Sequence, residues 1–291
     1  MFPARRLYTI PLPDGRVLEL GSRPLVMGIL NVTPDSFAEP SPRTDPEAAI
    51  EFALRMEASG ADIIDVGGES TRPGAEPLAV AEEARRVLPV IAGLRGRVRV
   101  PISIDTYKAE IAGAAIAEGA AIVNDVSGLR YESALGGVVA ATGAALIVMH
   151  TRGRSRTMYQ EARYDDLVQE VIRELDESLQ AAAAAGVVRE RVIVDPGIGF
   201  AKRPADSYGV LARLPELTAG LDRPVLTGPS RKSFMREALG SRPAPERDWG
   251  TAAAVTAAVL AGAHILRVHA VAEMVQVVRV AEEIRRHGWT S

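Results

Sequence analysis

Ile63-Ile64-Asp65-Val66-Gly67-Gly68-Glu69-Ser70-Thr71-Arg72-Pro73-Gly74-Ala75 begins as one kind of structure and ends as another. The run Ile63 to Val66 reads as a buried parallel strand. Paired glycines end the ladder, and Ser, Thr, Arg, Pro and Gly then build a loop. Glycines expose backbone N–H groups, the hydroxyls add donors, and Arg adds a planar cationic fork. This strand end therefore suits an anionic ligand. Taken alone, it is equally well an ordinary polar turn, so the other strand ends have to decide.

Just upstream, Gly60-Ala61-Asp62-Ile63 closes a helix and enters the strand. The same junction recurs at Gly119-Ala120-Ala121-Ile122, Gly143-Ala144-Ala145-Leu146 and Gly262-Ala263-His264-Ile265. Glycine supplies a left-handed helix terminus, and the small Ala lets the chain turn tightly into a sheet. The spacing is too irregular for a solenoid, so the repeated object is a βα unit. Further strands are expected at Leu25 to Leu30, Val100 to Ile104, Ile122-Val123, Leu146 to Met149, Val192 to Val194, Pro224 to Thr227 and Ile265 to Val268. With Ile63 to Val66 they number eight, each followed by a segment able to hold a helix. That is the arithmetic of an α/β fold of the TIM (β/α)8 barrel type. The alternative, a doubly wound open sheet, requires a Gly-x-Gly-x-x-Gly fingerprint in its first turn, and the sequence has none.

Residues 1–22 carry an Asp14-Gly15 turn between short β-rich runs, which predicts an N-terminal β-hairpin closing one barrel end. Asp45-Pro46-Glu47 predicts a helix start, with Asp as N-cap and Pro in the first turn, and the helix stops at Gly60. Tyr164 to Gly186 reads as a long helix with an alanine run, explained by propensity alone. Arg152 to Arg163 before it is a long, basic polar loop. We expect one domain spanning 1–291.

The composition narrows function by exclusion. A chain of 291 residues that is 47% hydrophobic can bury a full barrel core. Its net charge of −3 argues against nucleic acid or an anionic membrane as partner. With no cysteine there are no disulfides, thiolate metal sites or Cys nucleophile, which suits a reducing compartment. No signal core and no apolar run of about 18 residues is present, so a cytoplasmic location is expected.

Sites in such barrels lie at the C-terminal ends of the strands. In order, those ends carry Asn31, the Gly67–Ala75 loop, Asp105, Asn124 with Asp125, His150, Asp195, the Ser230-Arg231-Lys232-Ser233 loop, and Arg267 with His269. One polar end is explained by helix capping. All eight together suit a polar heterocycle joined to phosphate. Asp105, Asn124 and Asp195 supply the carboxylates and amide that grip an amidine-like edge, and Lys232 and Arg267 supply positive charge. The loops carrying Arg72 and Asn31 suit phosphate or its metal. Alternation in Arg267-Val268-His269 puts both polar side chains on the face toward the barrel mouth. No His-x-x-x-His pair, Gly-x-Ser-x-Gly elbow or nucleophile–base pair is present.

Five motifs together resemble the dihydropteroate synthase family: Asn31-Val32-Thr33-Pro34-Asp35-Ser36-Phe37, Gly68-Glu69-Ser70-Thr71-Arg72-Pro73-Gly74, Asp195-Pro196-Gly197-Ile198-Gly199-Phe200, Ser230-Arg231-Lys232-Ser233 and Arg267-Val268-His269. The resemblance spans nearly the whole chain. It implies condensation of a dihydropterin diphosphate with 4-aminobenzoate, giving dihydropteroate and diphosphate. By the same resemblance Asp105, Asn124, Met149, Asp195, Lys232 and Arg267 hold the pterin. Phe37, Thr71, Pro73, Phe200 and Ser233 hold the aminobenzoate, and Asn31, Arg72, Arg267 and His269 the diphosphate. Asn31 acts there through Mg2+, and Thr71, Arg72, Lys232, Arg267 and His269 carry the chemistry. A homodimer is implied as well.

Three positions depart from the family pattern. Ala38-Glu39-Pro40-Ser41-Pro42 is stiffer than the usual Ser, Asp and Gly continuation. Ala201 stands where glycine is common, and Ala270 where aspartate is common. Two rival readings stay open: the pterin-binding barrel of a methyltransferase, and a non-catalytic paralogue.

Overall fold

The computed structural model describes residues 2–33, 45–71 and 74–288. The chain begins with β1 (Tyr8–Pro11) and β2 (Val17–Leu20), then β3 (Leu25–Asn31), α1 (Pro46–Ala58), β4 (Ile63–Gly67), α2 (Val80–Leu94), β5 (Ile102–Asp105) and α3 (Ala109–Glu118). Next come β6 (Ile122–Asp125), α4 (Ala134–Thr142), β7 (Ala145–Met149), α5 (Leu167–Ala184), β8 (Val192–Asp195), α6 (Pro204–Ala212) and α7 (Leu214–Leu221). Last are β9 (Leu226–Thr227), α8 (Arg236–Leu239), α9 (Asp248–Leu260), β10 (Ile265–Val268) and α10 (Val271–His287).

Eight of these strands pair in parallel in the order β8-β7-β6-β5-β4-β3-β10-β9. A parallel bridge between Val194 and Val225 joins β8 to the start of β9, where Val194 N–H donates to Pro224 O at 3.0 Å. The sheet therefore closes on itself, and the architecture is a TIM barrel rather than an open sheet.

The recurrent Gly-Ala junction has one structural cause. Gly60, Gly119, Gly143 and Gly262 all have positive φ. At three of them the following N–H reaches back five residues to close the helix end: Ala61 to Met56 O, Ala120 to Ala115 O and Ala263 to Ala258 O. The alanines are buried where the chain enters the sheet, and a larger side chain there would push the strand away from its ladder.

The hairpin packs against the barrel. Ile10, Leu12, Leu18 and Leu20 form one cluster with inward-facing Met27, Ile63, Ile122 and Ile265. These lie at the N-terminal half of the strands, so the hairpin seals that end and leaves the other for chemistry. At α1, Asp45 accepts Glu47 N–H at 3.2 Å, as the Asp-Pro start predicts.

Helix α5 starts three residues later than Tyr164. Asp166 caps it, and Glu170 accepts the N–H groups of Asp165 and Asp166, which fixes the preceding turn. The basic stretch before it is anchored: Arg152 pairs with Glu170 and Glu174 and stacks 4.1 Å from the Tyr164 ring centroid.

Several strands run one residue further than their apolar runs, taking in Asn31, Gly67, Asp105 and Asp195, while β6 takes in Asn124 and Asp125. Parallel ladders bond through the backbone, so a polar side chain at the end does not break them. The consequence is functional, since these side chains stand on the barrel wall rather than on loops. Asn31 is in register with Gly67, Gly67 with Asp105, Asp105 with Asn124, and Met149 with Asp195.

Candidate active site

The floor of the site is a bonded set of four side chains from four strands. Arg267 on β10 donates from Nε to Asp65 Oδ2 and from Nη2 to Asp105 Oδ2, each at 2.6 Å. Asn124 on β6 donates from Nδ2 to the same Asp65 oxygen at 3.0 Å. Burial pushes the Asp105 carboxyl up to about 7, against the pull of the Arg267 guanidinium. Burial works against the charge of Arg267 as well, but Asp65 and Asp105 hold its pKa above the ordinary value.

Beside this set lies the Asp195–Phe200 turn. Asp195 accepts Gly197 N–H at 2.7 Å, and burial raises its carboxyl despite nearby Lys232. The two glycines of the turn are sterically required. A Cβ on Gly197 (φ +68°) would lie 1.9 Å from His150 O, and one on Gly199 (φ +79°) 2.8 Å from Lys232 Cδ. Lys232 threads through that gap, donates to Ile198 O, and sets its ammonium 4.1 Å from the Phe200 ring centroid. Burial lowers this ammonium to about 7, with Asp195 opposing.

Above the floor opens a cavity of about 540 Å3. Its lining includes Asn31, Thr71, Asp105, Phe200, Ser233 and His269. Among the described residues, five basic side chains, Arg231, Lys232, Arg236, Arg247 and Arg267, line it against two acidic ones, Glu69 and Asp105. Arg267 and Arg231 are paired with carboxylates, but on a chain of net charge −3 this is still a lining rich in cationic donors, which suits an anion. Ser230 Oγ accepts His269 N–H at 3.2 Å and lies 2.9 Å from His269 Nδ1, so the imidazole is held from that side. Arg231 (φ +59°) is clamped to Asp248 by two bonds of 2.7 and 2.8 Å. The Thr71 loop is pinned by Glu69, which accepts Lys108 Nζ at 2.6 Å, Leu78 N–H at 3.0 Å and Tyr107 OH at 3.1 Å.

Of the residues expected from sequence, Asn31, Thr71, Asp105, Phe200, Lys232, Ser233, Arg267 and His269 come together on this cavity. Asn124, Met149 and Asp195 sit beside it on strand ends but are buried and do not line it. Phe37, Arg72 and Pro73 lie outside the described residues. His150, another polar strand end, is buried away from the cavity, with Nε2 3.0 Å from Glu174 and Nδ1 2.7 Å from Lys202 Nζ. Burial and the Lys202 charge lower its imidazole to about 3, so it serves as a neutral structural group. Asp125 accepts Ser127 N–H and Leu129 N–H and shapes its own turn.

Sequence reasoning passed over Asp65, whose polarity inside an apolar run was the available signal. It also missed Arg236 and Arg247, which nothing local marks. Ala201 and Ala270 show what their departures cost. Ala201 takes φ +47°, a region glycine enters without strain, and Ala270 begins α10 with no side-chain cap.

Among the described residues, no three His, Cys, Asp or Glu side chains group to hold a metal, and no helix is long and apolar enough to cross a membrane. The profile of the pterin binding enzyme family matches residues 27–269. The dihydropteroate synthase of Synechocystis sp. is 44% identical over 277 residues, covering 95% of this chain and 96% of its own. The Xanthomonas albilineans dihydropteroate synthase solved with 4-aminobenzoic acid superposes with a TM-score of 0.86 at 43% identity, over 95% of this chain and 99% of that one. The Burkholderia cenocepacia enzyme complexed with 7,8-dihydropteroate superposes with a TM-score of 0.85 at 39% identity, over 97% and 99%. This chain belongs to the dihydropteroate synthase family of pterin-binding enzymes.

Proposed function

We propose that this chain condenses a (7,8-dihydropterin-6-yl)methyl diphosphate with 4-aminobenzoate, releasing diphosphate and 7,8-dihydropteroate. The observation that carries the reading is a floor of acceptors, Asp105 and Asn124 with Asp195 beside them, beneath a rim of cations. The acceptors suit the amino and ring N–H edge of a pterin, and the rim suits the diphosphate. Phe200 and Ser233 offer the arylamine an aromatic face and a hydroxyl, and the Thr71 loop closes the opposite side.

The bond from the pterin methylene to diphosphate oxygen breaks with both electrons leaving on the diphosphate. Arg267 and His269, both on the cavity lining, would face that developing negative charge, and fixed donors of this kind are a large catalytic term. The arylamine then forms the C–N bond and sheds its proton afterwards, so the attack needs no general base. Mg2+ belongs to the proposal. Asn31 offers one neutral oxygen at the cavity, which fits a hard ion held mainly by diphosphate oxygens and water. Bound there, it would neutralise charge on the leaving group. Phe37, Arg72 and Pro73 enter by family resemblance alone.

A cytoplasmic homodimer completes the reading. Trp249 on α9 is 89% exposed, and Val280 and Ile284 on neighbouring α10 are exposed as well, apolar side chains that a second copy would cover. The function is tested by incubating the protein with both substrates and quantifying products. Equimolar diphosphate and dihydropteroate, formed only when the amine is present, are expected. Absence of dihydropteroate with both substrates bound would sink the proposal.

A further inference from the structure

Asp65 sits in a strand that does not explain it. Its neighbours Ile63, Ile64 and Val66 are apolar and fully buried, and the carboxylate has no exposure. One oxygen, Oδ2, takes bonds from β6 and β10, on different sides of the barrel. Among the described residues, the other oxygen, Oδ1, has no hydrogen-bond partner, and the buried hydroxyl of Ser103, its register neighbour on β5, has none either. A buried carboxylate with one oxygen unmet is a poor way to stabilise a barrel, where an apolar residue of similar volume serves as well or better. The retained contacts therefore point to a role in the site.

A carboxylate accepts and cannot donate, so the NH2 end of Asn124 must face Asp65. The amide oxygen is then turned to the other side. In the same way, engagement of Nε fixes the plane of the Arg267 guanidinium and delivers Nη2 to Asp105. We propose that Asp65 is a positioning residue that sets the polarity of the floor. It locks Asn124 as an acceptor and holds Arg267 in one plane, so that the site reads a heterocycle edge made of amino and ring N–H donors. The inference rests on the reading of this cavity as a pterin site. It predicts that a freed Asn124 amide, able to turn either end outward, recognises that edge less well. Neither Asp65 nor its partners need move for this; the selectivity lies in which end of one amide is presented.

The test uses calorimetry with 6-hydroxymethyl-7,8-dihydropterin, which lacks the leaving group, on the wild type, Asp65→Asn, Asn124→Ala and the double variant. Asp65→Asn is isosteric, and by analogy with supporting residues around other ligand shells it should weaken binding about 10–100-fold. Because Asp65 acts partly through Asn124, the same change in the Asn124→Ala background should cost at least about threefold less, a coupling that a purely structural role would not produce. Equal cost in both backgrounds, or unchanged affinity in the single variant, overturns the proposal. If Asp65→Asn does not fold, the unaltered protein decides. The sequence has two asparagines, Asn31 and Asn124, so selective 15N labelling resolves their side-chain amides. A proton of Asn124 held by Asp65 should exchange at least about tenfold more slowly than those of Asn31. Exchange as fast as Asn31 overturns the contact. A wild type that does not bind the probe refutes the pterin reading instead, and the exchange measurement still judges the Asp65–Asn124 contact by itself.

Discussion

Arg267→Met removes a cation that two buried carboxylates share while keeping an unbranched side chain of similar reach. In the structure Arg267 bonds to Asp65 and Asp105 at 2.6 Å each, and side-chain exposure is 0% for Asp65 and 10% for Asp105. Breaking a buried pair from one side costs about 3–5 kcal/mol, because the partner is left charged and desolvated. Protonation provides a partial escape. Burial already pushes the Asp105 carboxyl up to about 7, so losing the Arg267 charge should raise it further and leave the variant's Asp105 more protonated than the wild type's above neutrality. The sign follows from linkage. A carboxyl whose folded pKa is raised binds more protons folded than unfolded above about pH 4, so its stability is fullest in acid and is lost as pH rises. The deficit of Arg267→Met should therefore widen with pH, by up to about 1.4 kcal/mol per unit for one proton. Urea unfolding of both proteins at about pH 5.5 and about pH 8 reads this directly. A deficit below about 1 kcal/mol at the higher pH, or one that does not change with pH, would refute the shared-cation account.

Asp195→Asn should weaken pterin binding by about 2–5 kcal/mol, as loss of a buried charged acceptor does; unchanged affinity in calorimetry of a folded variant would remove Asp195 from the site. The pH profile of kcat/KM for the pterin diphosphate should be bell-shaped and peak near neutrality. Asp105 protonates on the acid side and Lys232 loses its charge on the alkaline side, both near 7 and as a coupled set; a flat profile from about pH 5.5 to 8.5 would contradict this. Ala270→Asp should stabilise the protein by about 1 kcal/mol, since α10 begins without a side-chain acceptor; an unchanged or lowered melting temperature would show that its first turn is satisfied by other means.

What could be read from sequence depended on how local its cause was. The eight strands were legible because β-branched runs and Gly-Ala junctions are set by residues close together in the chain. The hairpin and the Asp45-Pro46 helix start were legible for the same reason. The ends at Met149, Thr227 and Val268 were read correctly, whereas β3, β4, β5, β6 and β8 run a residue or two further, because ladder bonds are made by the backbone while the eye follows side-chain polarity. Asp65 was read as strand interior, and its role needs Asn124 and Arg267, 59 and 202 residues away. His150 looked like another site residue, yet the Lys202 and Glu174 contacts that bury it are invisible along the chain. The cationic rim was underestimated, since Arg236 and Arg247 join it only through folding of the segment after β9. The motif residues were recognisable as a set because chemistry at strand ends demands particular side-chain types.

In the proposed reaction the cationic rim drives departure of diphosphate before the arylamine attacks. Single-turnover rates at saturation, across ring-substituted 4-aminobenzoates of different basicity, test it most directly. If departure comes first, the rate of the chemical step should be nearly independent of amine pKa, because the amine meets a cation already formed. A rate that climbs steeply with amine basicity would mean that attack and departure are concerted, and the rim would then not be the principal source of catalysis.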